Sequence, residues 1–235
     1  MIDKQFDSAL EAMQGIEDGA TVLISGFGES GNPTELCHAL LEHGAKGLTV
    51  VSNNAGNGRH GMAKLIGSGN VRKVICSFPR SSHSFHFTKA YRAGKIELET
   101  VPQGTLAERI RAAGAGIPAF YTPTSVGTPL AEGKEIRQFD GRDYVMEHAF
   151  DADVALVKAH RGDRWGNLTY RKAQRNFGPP MCMAGRLTIV QVQEVVDLGD
   201  IAPEIVVTPS IFVDRIVRVA NPINELALIQ EEFGP

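Results

Sequence analysis

The sequence lacks the features that mark exported, membrane-spanning and nucleic-acid-binding proteins. Its 235 residues contain only three cysteines, Cys37, Cys76 and Cys182, which form no C-x-x-C pair and favour buried thiols over disulfides or structural zinc. No apolar run approaches the roughly 20 residues that cross a bilayer, and the acidic start carries no signal-peptide pattern. The net charge of −3 comes without a dense Lys/Arg cluster, which argues against a nucleic-acid surface. We therefore expect a cytoplasmic protein whose partners include neither nucleic acid nor membrane.

Apolar residues make up 43% of the chain, enough for a substantial core, and their spacing alternates between two periods in the first half. Strand-like runs occupy 21–25, 48–52, 71–78 and 95–101, and helix-like segments occupy 33–44, 61–69 and 104–116. Because strands that alternate with helices form parallel units, we predict an α/β fold with a mostly parallel open sheet and flanking helices.

The second half of the chain predicts an antiparallel hairpin elaboration of this fold. Asp140-Gly141 stands between two alternating runs, which is a strong signal for a two-residue hairpin turn. Further strands are predicted at 152–160, 166–171 and 186–196. The segment 116–129, rich in Gly, Pro and Thr, is predicted to be a shaped functional loop without regular structure. We assign residues 1–220 to a single domain and residues 221–235 to a C-terminal tail.

The stretch Gly26–Gly31 reads GFGESG and matches the glycine pattern of dinucleotide-binding folds. Such folds also need the third glycine inside the helix and an acidic residue at the end of the next strand, where it binds the ribose. Here Asn32 and Glu35 resemble an N-cap and its capping-box partner, so the helix begins after the last glycine. The next strand ends in Ser52-Asn53-Asn54 and offers no carboxylate. We therefore predict that the motif does not bind NAD or FAD.

A glycine loop that leads into a helix has another use. Its backbone amides and the helix dipole favour a phosphate, a carboxylate or the oxyanion that develops on a thioester under attack. The alternative is a tight turn that only joins strand to helix. Four conformational constraints within eight residues, at Gly26, Gly28, Gly31 and Pro33, favour a functional loop over a simple turn.

Residues 18–33, DGATVLISGFGESGNP, resemble the first signature of family I coenzyme A transferases. Ser25 departs from it, since the family usually has a glycine there. The resemblance continues to about residue 220 through the segments VSNNAGNG, VPQGTLAERIRAAGAGIPAFYTPT, GDRWGNLTYRKAQRNFGP and VVTP. It is strongest to the A (alpha) chains of the two-subunit enzymes. SNNAGNG, CSFPR and YRAGKIELE are most similar to the A chains of enzymes that act on 3-oxoadipate, with the succinyl-CoA:3-ketoacid (acetoacetate) enzymes as the alternative.

The resemblance implies a mechanism in which a glutamate attacks an acyl-CoA thioester and carries the CoA as a glutamyl thioester. This exchange needs no metal and no cofactor beyond the CoA thioester, which is a substrate. The family's nucleophile lies in a Ser-Glu-Asn-Gly motif of the B (beta) subunit. Glu29-Ser30-Gly31-Asn32 has similar letters in a different order. The resemblance therefore implies half of an active site, completed by a B subunit in a heterotetramer or larger assembly.

The resemblance also implies roles for individual residues. The coenzyme A and oxyanion segment comprises Ser25, Gly26, Phe27, Gly28, Glu29, Ser30 and Gly31. Gln103 is a supporting catalytic residue, with a helix-entry residue that bonds its own backbone as the alternative. Asn53 is expected to bind substrate at the carboxyl edge of the sheet. Arg80 is a candidate for the distal carboxylate of the acceptor, with an ordinary surface arginine as the alternative.

Two other classes of function remain open at this point. A sugar-phosphate isomerase of related fold would need an acid/base pair within this chain. A non-catalytic binding or regulatory subunit would need only the folded scaffold. Addition of a B subunit separates the three, because only a transferase half gains activity from it.

Overall fold

The computed structural model describes residues 2–234. Within them the strands are β1 Gln5–Phe6, β2 Thr21–Ile24, β3 Leu48–Val51, β4 Val71–Cys76, β5 Glu97–Thr100, β6 Ala119–Thr122, β7 Ile136–Phe139, β8 Arg142–His148, β9 Ala152–Asp163, β10 Leu168–Thr169, β11 Gly185–Val196 and β12 Arg215–Arg218. The α-helices are α1 Thr34–His43, α2 Gly61–Gly67, α3 Phe85–Arg92, α4 Gln103–Gly114, α5 Gly178–Ala184 and α6 Glu225–Phe233.

The main sheet has the strand order β1-β12-β11-β9-β2-β3-β4-β5, and β10 pairs with β9 off this path. Every pairing along the order is parallel, and the β10–β9 pairing is antiparallel. The predicted mostly parallel sheet is therefore confirmed. Val22 of β2 pairs with Val50 on one side and Val154 on the other, which places β2 near the centre of the sheet.

Side chains that alternate along the strands build two cores, one on each face of the sheet. In β2, Val22 and Ile24 belong to one core and Leu23 to the other. Helices α1, α2 and α3 cover the first face, and α4 and α5 cover the second. Because both faces are buried, the strands are nearly continuous apolar runs, as expected for parallel sheets. This layering leaves the strand ends as the exposed edges of the sheet.

The predicted hairpin is confirmed, and it belongs to a separate three-stranded antiparallel sheet in the order β6-β8-β7. Asp140 and Gly141 adopt φ angles of 47° and 78°, as a two-residue hairpin turn requires. The prediction of an irregular loop over 116–129 is wrong at β6, which pairs with β8 through Phe120 and Glu147. A two-stranded hairpin on its own is only marginally stable, and pairing with the third strand β6 supports it. The Pro and Gly residues that flank β6 hide its strand pattern in the sequence.

The C-terminal helix α6 packs against the body of the protein. Ile229 is buried next to Gly58, and the ring of Phe233 stacks on that of His83 at 4.8 Å between centroids. Glu232 pairs with Arg59. The division of the chain at residue 220 stays a prediction. No helix in residues 2–234 is both long enough and apolar enough to span a membrane.

Candidate active site

The candidate site lies where four neighbouring parallel strands end. Chain segments that follow β2, β3 and β4 meet there with the first residue of α4, which follows β5. They enclose a cavity of about 530 Å³ lined by Phe27, Gly28, Asn53, Asn54, Asn57, Ser77, Phe78, Ser81 and Gln103. Open α/β sheets bind ligands at this edge. The structure thus brings three parts of the predicted site together: the glycine loop, Asn53 and Gln103.

Asn53 is the centre of a hydrogen-bond network at the base of this cavity. Its carboxamide oxygen accepts from the Gln103 side-chain amide at 2.6 Å and from the Ser77 hydroxyl at 2.9 Å. The Gln103 side chain therefore bonds a second site residue instead of its own backbone. Because Gln103 and Ser77 hold the carboxamide oxygen of Asn53, the two N–H groups of the same carboxamide point away from these residues. No residue in 2–234 accepts a hydrogen bond from them. They remain available to an oxygen of a ligand.

The glycine loop is held by hydrogen bonds within the loop and by hydrogen bonds to Asn176. The amide of Gly26 donates to the Asn176 carboxamide oxygen at 3.1 Å, and the Asn176 amide donates to the Ser30 carbonyl at 2.9 Å. Phe27 and Ser30 exchange two backbone hydrogen bonds, at 3.0 and 3.1 Å. The amides of Gly26, Phe27 and Ser30 are therefore already bonded within the protein and are not available to a ligand.

The amides of Gly28 and Glu29 donate to no residue within 2–234. The carbonyl of Gly28 accepts from the side-chain amides of Asn32 at 3.2 Å and Asn54 at 3.4 Å. In a planar trans peptide the C=O and the next N–H point in opposite directions. The N–H of Glu29 therefore points away from Asn32 and Asn54, and Gly28, but not Glu29, lines the cavity.

The start of α1 differs from the sequence prediction. The helix begins at Thr34, and Asn32 makes no capping bond to the helix. The Asn32 amide instead donates to Gly28 and to the carboxylate of Glu225 at 2.8 Å. The Glu35 carboxylate accepts from Gln191 at 2.6 Å, so the predicted capping box is wrong. Hydrogen bonds to Glu225 and Gln191, which are far away in the chain, replace the local cap. A pattern of neighbouring residues cannot predict such bonds.

Arg80 lies beside this cavity and not within it. It is exposed and lines an adjoining open cleft of about 1050 Å³, which also contains the cationic side chains of Lys89 and Arg92. Phe78 and Ser81 line both spaces and form the boundary between them. Arg80 makes no salt bridge to any acidic residue in the described part of the chain.

Several site residues carry no assignment from sequence, notably Asn57 and Asn176. Asn57 donates to the Glu29 carboxylate at 2.5 Å and accepts from the hydroxyl of Ser84 at 2.9 Å. It therefore links the glycine loop to the segment before α3. Both asparagines lie in segments that resemble the coenzyme A transferases, Asn57 in SNNAGNG and Asn176 near the end of GDRWGNLTYRKAQRNFGP. That membership was the only signal for them.

Other reactive side chains are engaged in packing. Across residues 2–234 no group of three or more His, Cys, Asp or Glu side chains is arranged to hold a metal ion. His83 stacks on Phe233, and His86 packs beside Phe85. The cysteines are buried and free, as predicted, and burial raises the pKa of Cys76 to about 12. A thiol of this kind is protonated at neutral pH and is a poor nucleophile.

Comparison with known proteins identifies the family of this chain. A family model described as "Coenzyme A transferase" matches residues 6–219. The chain is 60% identical over 221 residues to the A chain of the 3-oxoadipate CoA-transferase of Pseudomonas putida, covering 94% of this chain and 96% of that protein. It is 50% identical to the A chain of the succinyl-CoA:3-ketoacid coenzyme A transferase of Xanthomonas campestris, covering 93% of this chain and 90% of that protein.

An acyl-CoA transferase from Escherichia coli O157:H7 superposes with a TM-score of 0.80 at 22% identity, covering 94% of this chain and 48% of that one. This chain therefore spans about half the length of the E. coli enzyme. The chain belongs to the coenzyme A transferase family.

Proposed function

We propose that this chain is the A (alpha) half of a two-chain CoA transferase that moves CoA from succinyl-CoA to a 3-oxo acid, with 3-oxoadipate as the preferred acceptor. The observation that carries the proposal is a cavity at the carboxyl edge of the sheet in which the rings of Phe27 and Phe78 accompany side-chain amides and hydroxyls, with no acidic residue among its lining residues. Such a cavity binds the oxygens of a thioester and a carboxylate but supplies no carboxylate nucleophile of its own.

The nucleophile in this proposal is a glutamate of a B subunit. Its carboxylate attacks the thioester carbonyl, the C–S bond breaks, and a mixed anhydride and CoA thiolate form. The thiolate attacks the glutamyl carbonyl, which gives a glutamyl-CoA thioester and releases succinate. The acceptor carboxylate then reverses these steps. Asn53, supported by Gln103, donates to the substrate oxygens, and the amide of Gly28 stabilises the oxyanion.

The half-site interpretation is supported by the state of the nearest carboxylate. Glu29 is absent from the lining of the cavity, and its carboxylate accepts from Asn57 at 2.5 Å. A carboxylate held in this way on the neighbouring loop is poorly placed to attack. The E. coli acyl-CoA transferase, about twice as long, leaves room for a second half within one chain. We propose that the two halves are separate chains here, in a cytoplasmic heterotetramer or larger assembly.

The preference for 3-oxoadipate rests on Arg80. An acceptor whose reacting carboxylate lies near Asn53 extends past Phe78 and Ser81 into the neighbouring cleft, where a second carboxylate meets the guanidinium. Acetoacetate has no second carboxylate. It is the alternative acceptor, and the similarity to succinyl-CoA:3-ketoacid transferases supports it.

The cofactor proposal is that the assembled enzyme uses CoA thioesters and neither a metal nor a nicotinamide. The strand β3 is followed by Asn53 and Asn54, which offer no carboxylate for a ribose. Calorimetry of this chain with NAD and NADP is expected to give no specific binding. Micromolar binding of NAD would contradict the proposal.

The decisive experiment locates the covalent intermediate. The complex with a B subunit is incubated with succinyl-CoA in the absence of an acceptor, reduced with borohydride, and its two chains are weighed separately. Reduction of a glutamyl thioester to the alcohol makes the modified chain about 14 Da lighter. The B chain is expected to carry this change, and this chain is expected to be unmodified and inactive alone. Modification of Glu29, or full activity of the single chain, would overturn the proposal.

A further inference from the structure

Glu225, the first residue of α6, is a carboxylate buried against the glycine loop. It lies beyond the residues 6–219 that match the family, and only 7% of it is exposed. Its two oxygens accept from the Asn32 amide at 2.8 Å and the Thr34 hydroxyl at 2.6 Å. A Cβ atom on Gly61 would lie 2.2 Å from the Glu225 carboxylate, so the carboxylate occupies space that only a glycine leaves free.

This carboxylate reaches the candidate oxyanion site through a single intervening side chain. The Asn32 amide group has two hydrogens, of which one is donated to Glu225 and the other to the carbonyl of Gly28. Glu225 therefore fixes the rotation of the Asn32 carboxamide, and Asn32 in turn holds the Gly28–Glu29 peptide. The direction of the Glu29 N–H follows from that peptide's plane.

We propose that Glu225 is a positioning residue for acyl transfer: through Asn32 it holds the Gly28–Glu29 peptide, and with it keeps Gly28 in place at the cavity for the reacting carbonyl. The proposal rests on the transferase function proposed above. It assigns to the C-terminal helix a role in the rate of thioester formation, although no atom of that helix lines the cavity at Asn53 and Gln103. Glu225 itself does not line that cavity.

Two substitutions of Glu225 separate positioning from charge. In Glu225→Gln the side-chain oxygen still accepts from Asn32, and the new amide donates to the Thr34 hydroxyl, so both contacts survive. In Glu225→Ala the Asn32 amide loses its second acceptor and is free to rotate. Glu232→Gln is the matched control, because it removes a carboxylate of the same helix that bonds Arg59 at the protein surface.

The first measurement is the rate of glutamyl-CoA formation in the complex with the B subunit. Glu225→Ala is expected to lower kcat roughly tenfold, as for a buried donor deprived of its acceptor. KM for succinyl-CoA is expected to change little, whereas the melting temperature is expected to fall, because the Asn32 amide and the Thr34 hydroxyl lose a buried acceptor. Glu225→Gln and Glu232→Gln are expected to retain the wild-type rate. An unchanged rate for Glu225→Ala, or an equal loss for Glu225→Gln, would overturn the proposal.

The second measurement uses this chain alone and does not depend on catalysis. Hydrogen–deuterium exchange followed by mass spectrometry is expected to show faster exchange in peptides spanning 26–33 for Glu225→Ala, and no change there for Glu232→Gln. If the wild-type complex forms no adduct, the proposed function fails while this measurement still tests the contact. If the adduct forms but exchange in 26–33 is unaltered, the positioning role fails alone.

Discussion

The side-chain amide of Gln103 donates a hydrogen bond of 2.6 Å to the carboxamide oxygen of Asn53, a residue 50 positions earlier in the chain. The bond joins the start of α4 to the end of β3 across the intervening strand β4. It fixes which face of the Asn53 carboxamide meets the cavity, because an oxygen engaged by Gln103 and Ser77 leaves only N–H groups for a ligand.

Replacement of these two residues is therefore expected to be non-additive. Asn53→Ala removes a donor to the substrate and is expected to lower kcat roughly 100-fold. Gln103→Ala leaves that donor present but less fixed, and a loss of about tenfold is expected. In the double variant the Gln103 substitution adds little, since its partner is gone. Steady-state kinetics of the complex test this, with exposed Gln138→Ala as the control; fully additive losses would show that the two act separately.

Arg80→Ala is expected to change the choice of acceptor. With succinyl-CoA saturating, kcat/KM for 3-oxoadipate is expected to fall by the equivalent of about 1.5–3 kcal/mol, the value of a charged hydrogen bond. The corresponding value for acetoacetate is expected to change little. Lys89→Ala, which removes another cationic side chain of the same cleft, is the control. Equal losses for both acceptors would remove Arg80 from substrate recognition.

Substitutions at Gly28 and Gly31 are expected to separate the cost of a positive φ angle from the cost of a steric clash with neighbouring atoms. Gly28 has a φ of +56° and no atom within 4 Å of a built Cβ, so Gly28→Ala is expected to cost only about 1–2 kcal/mol of stability. At Gly31, with φ of +79°, the Cβ would lie 2.6 Å from both Asn176 and the Gln174 carbonyl. Gly31→Ala is therefore expected to lower the melting temperature more, and both variants should slow adduct formation. Equal melting temperatures would contradict the contact at Gly31.

The stability of Glu225→Gln relative to wild type is expected to depend on pH. Burial raises the pKa of Glu225, against the opposing effects of Thr34, Asn32 and the Lys158 ammonium; the Glu29 carboxylate adds to the rise. An acid whose pKa is higher in the folded state destabilises the fold when it ionises. This cost is absent at low pH and grows as the pH rises from the unfolded value of about 4.3. Glutamine cannot ionise, so the variant should gain on the wild type in the free energy of unfolding between acidic and neutral pH. A constant difference would contradict a raised pKa.

The parallel sheet and its helices follow from local patterns in the sequence. The runs at 21–25, 48–52 and 71–78 match β2, β3 and β4 closely, because strands buried on both faces are continuously apolar. The hairpin was predictable from Asp140-Gly141, since only a few residue pairs tolerate two positive φ angles.

Long-range contacts set the features that the sequence does not reveal. Asn32 has the residue type and position of an N-cap, yet its amide bonds Glu225, 193 residues later in the chain. Asn176 holds Gly26 from 150 residues away. Helices α3 and α5 span only eight and seven residues, so packing determines them more than local propensity does. No residue pattern within one segment records such pairings.

The central position of β2 has a consequence for how the protein folds. β2 pairs with β3, which is close in sequence, and with β9, where Val22 meets Val154. Contacts between segments that are distant in the sequence form late, because closing a long loop costs entropy before the contact contributes any stabilising free energy. The strands β2 to β5 can associate early, whereas the glycine loop becomes ordered only after the segments that carry Asn176 and Glu225 have reached it. In pulse-labelled refolding we expect amides of β3 and β4 to gain protection before those of 26–32, so that the edge of the sheet that carries the candidate site becomes ordered only after these strands.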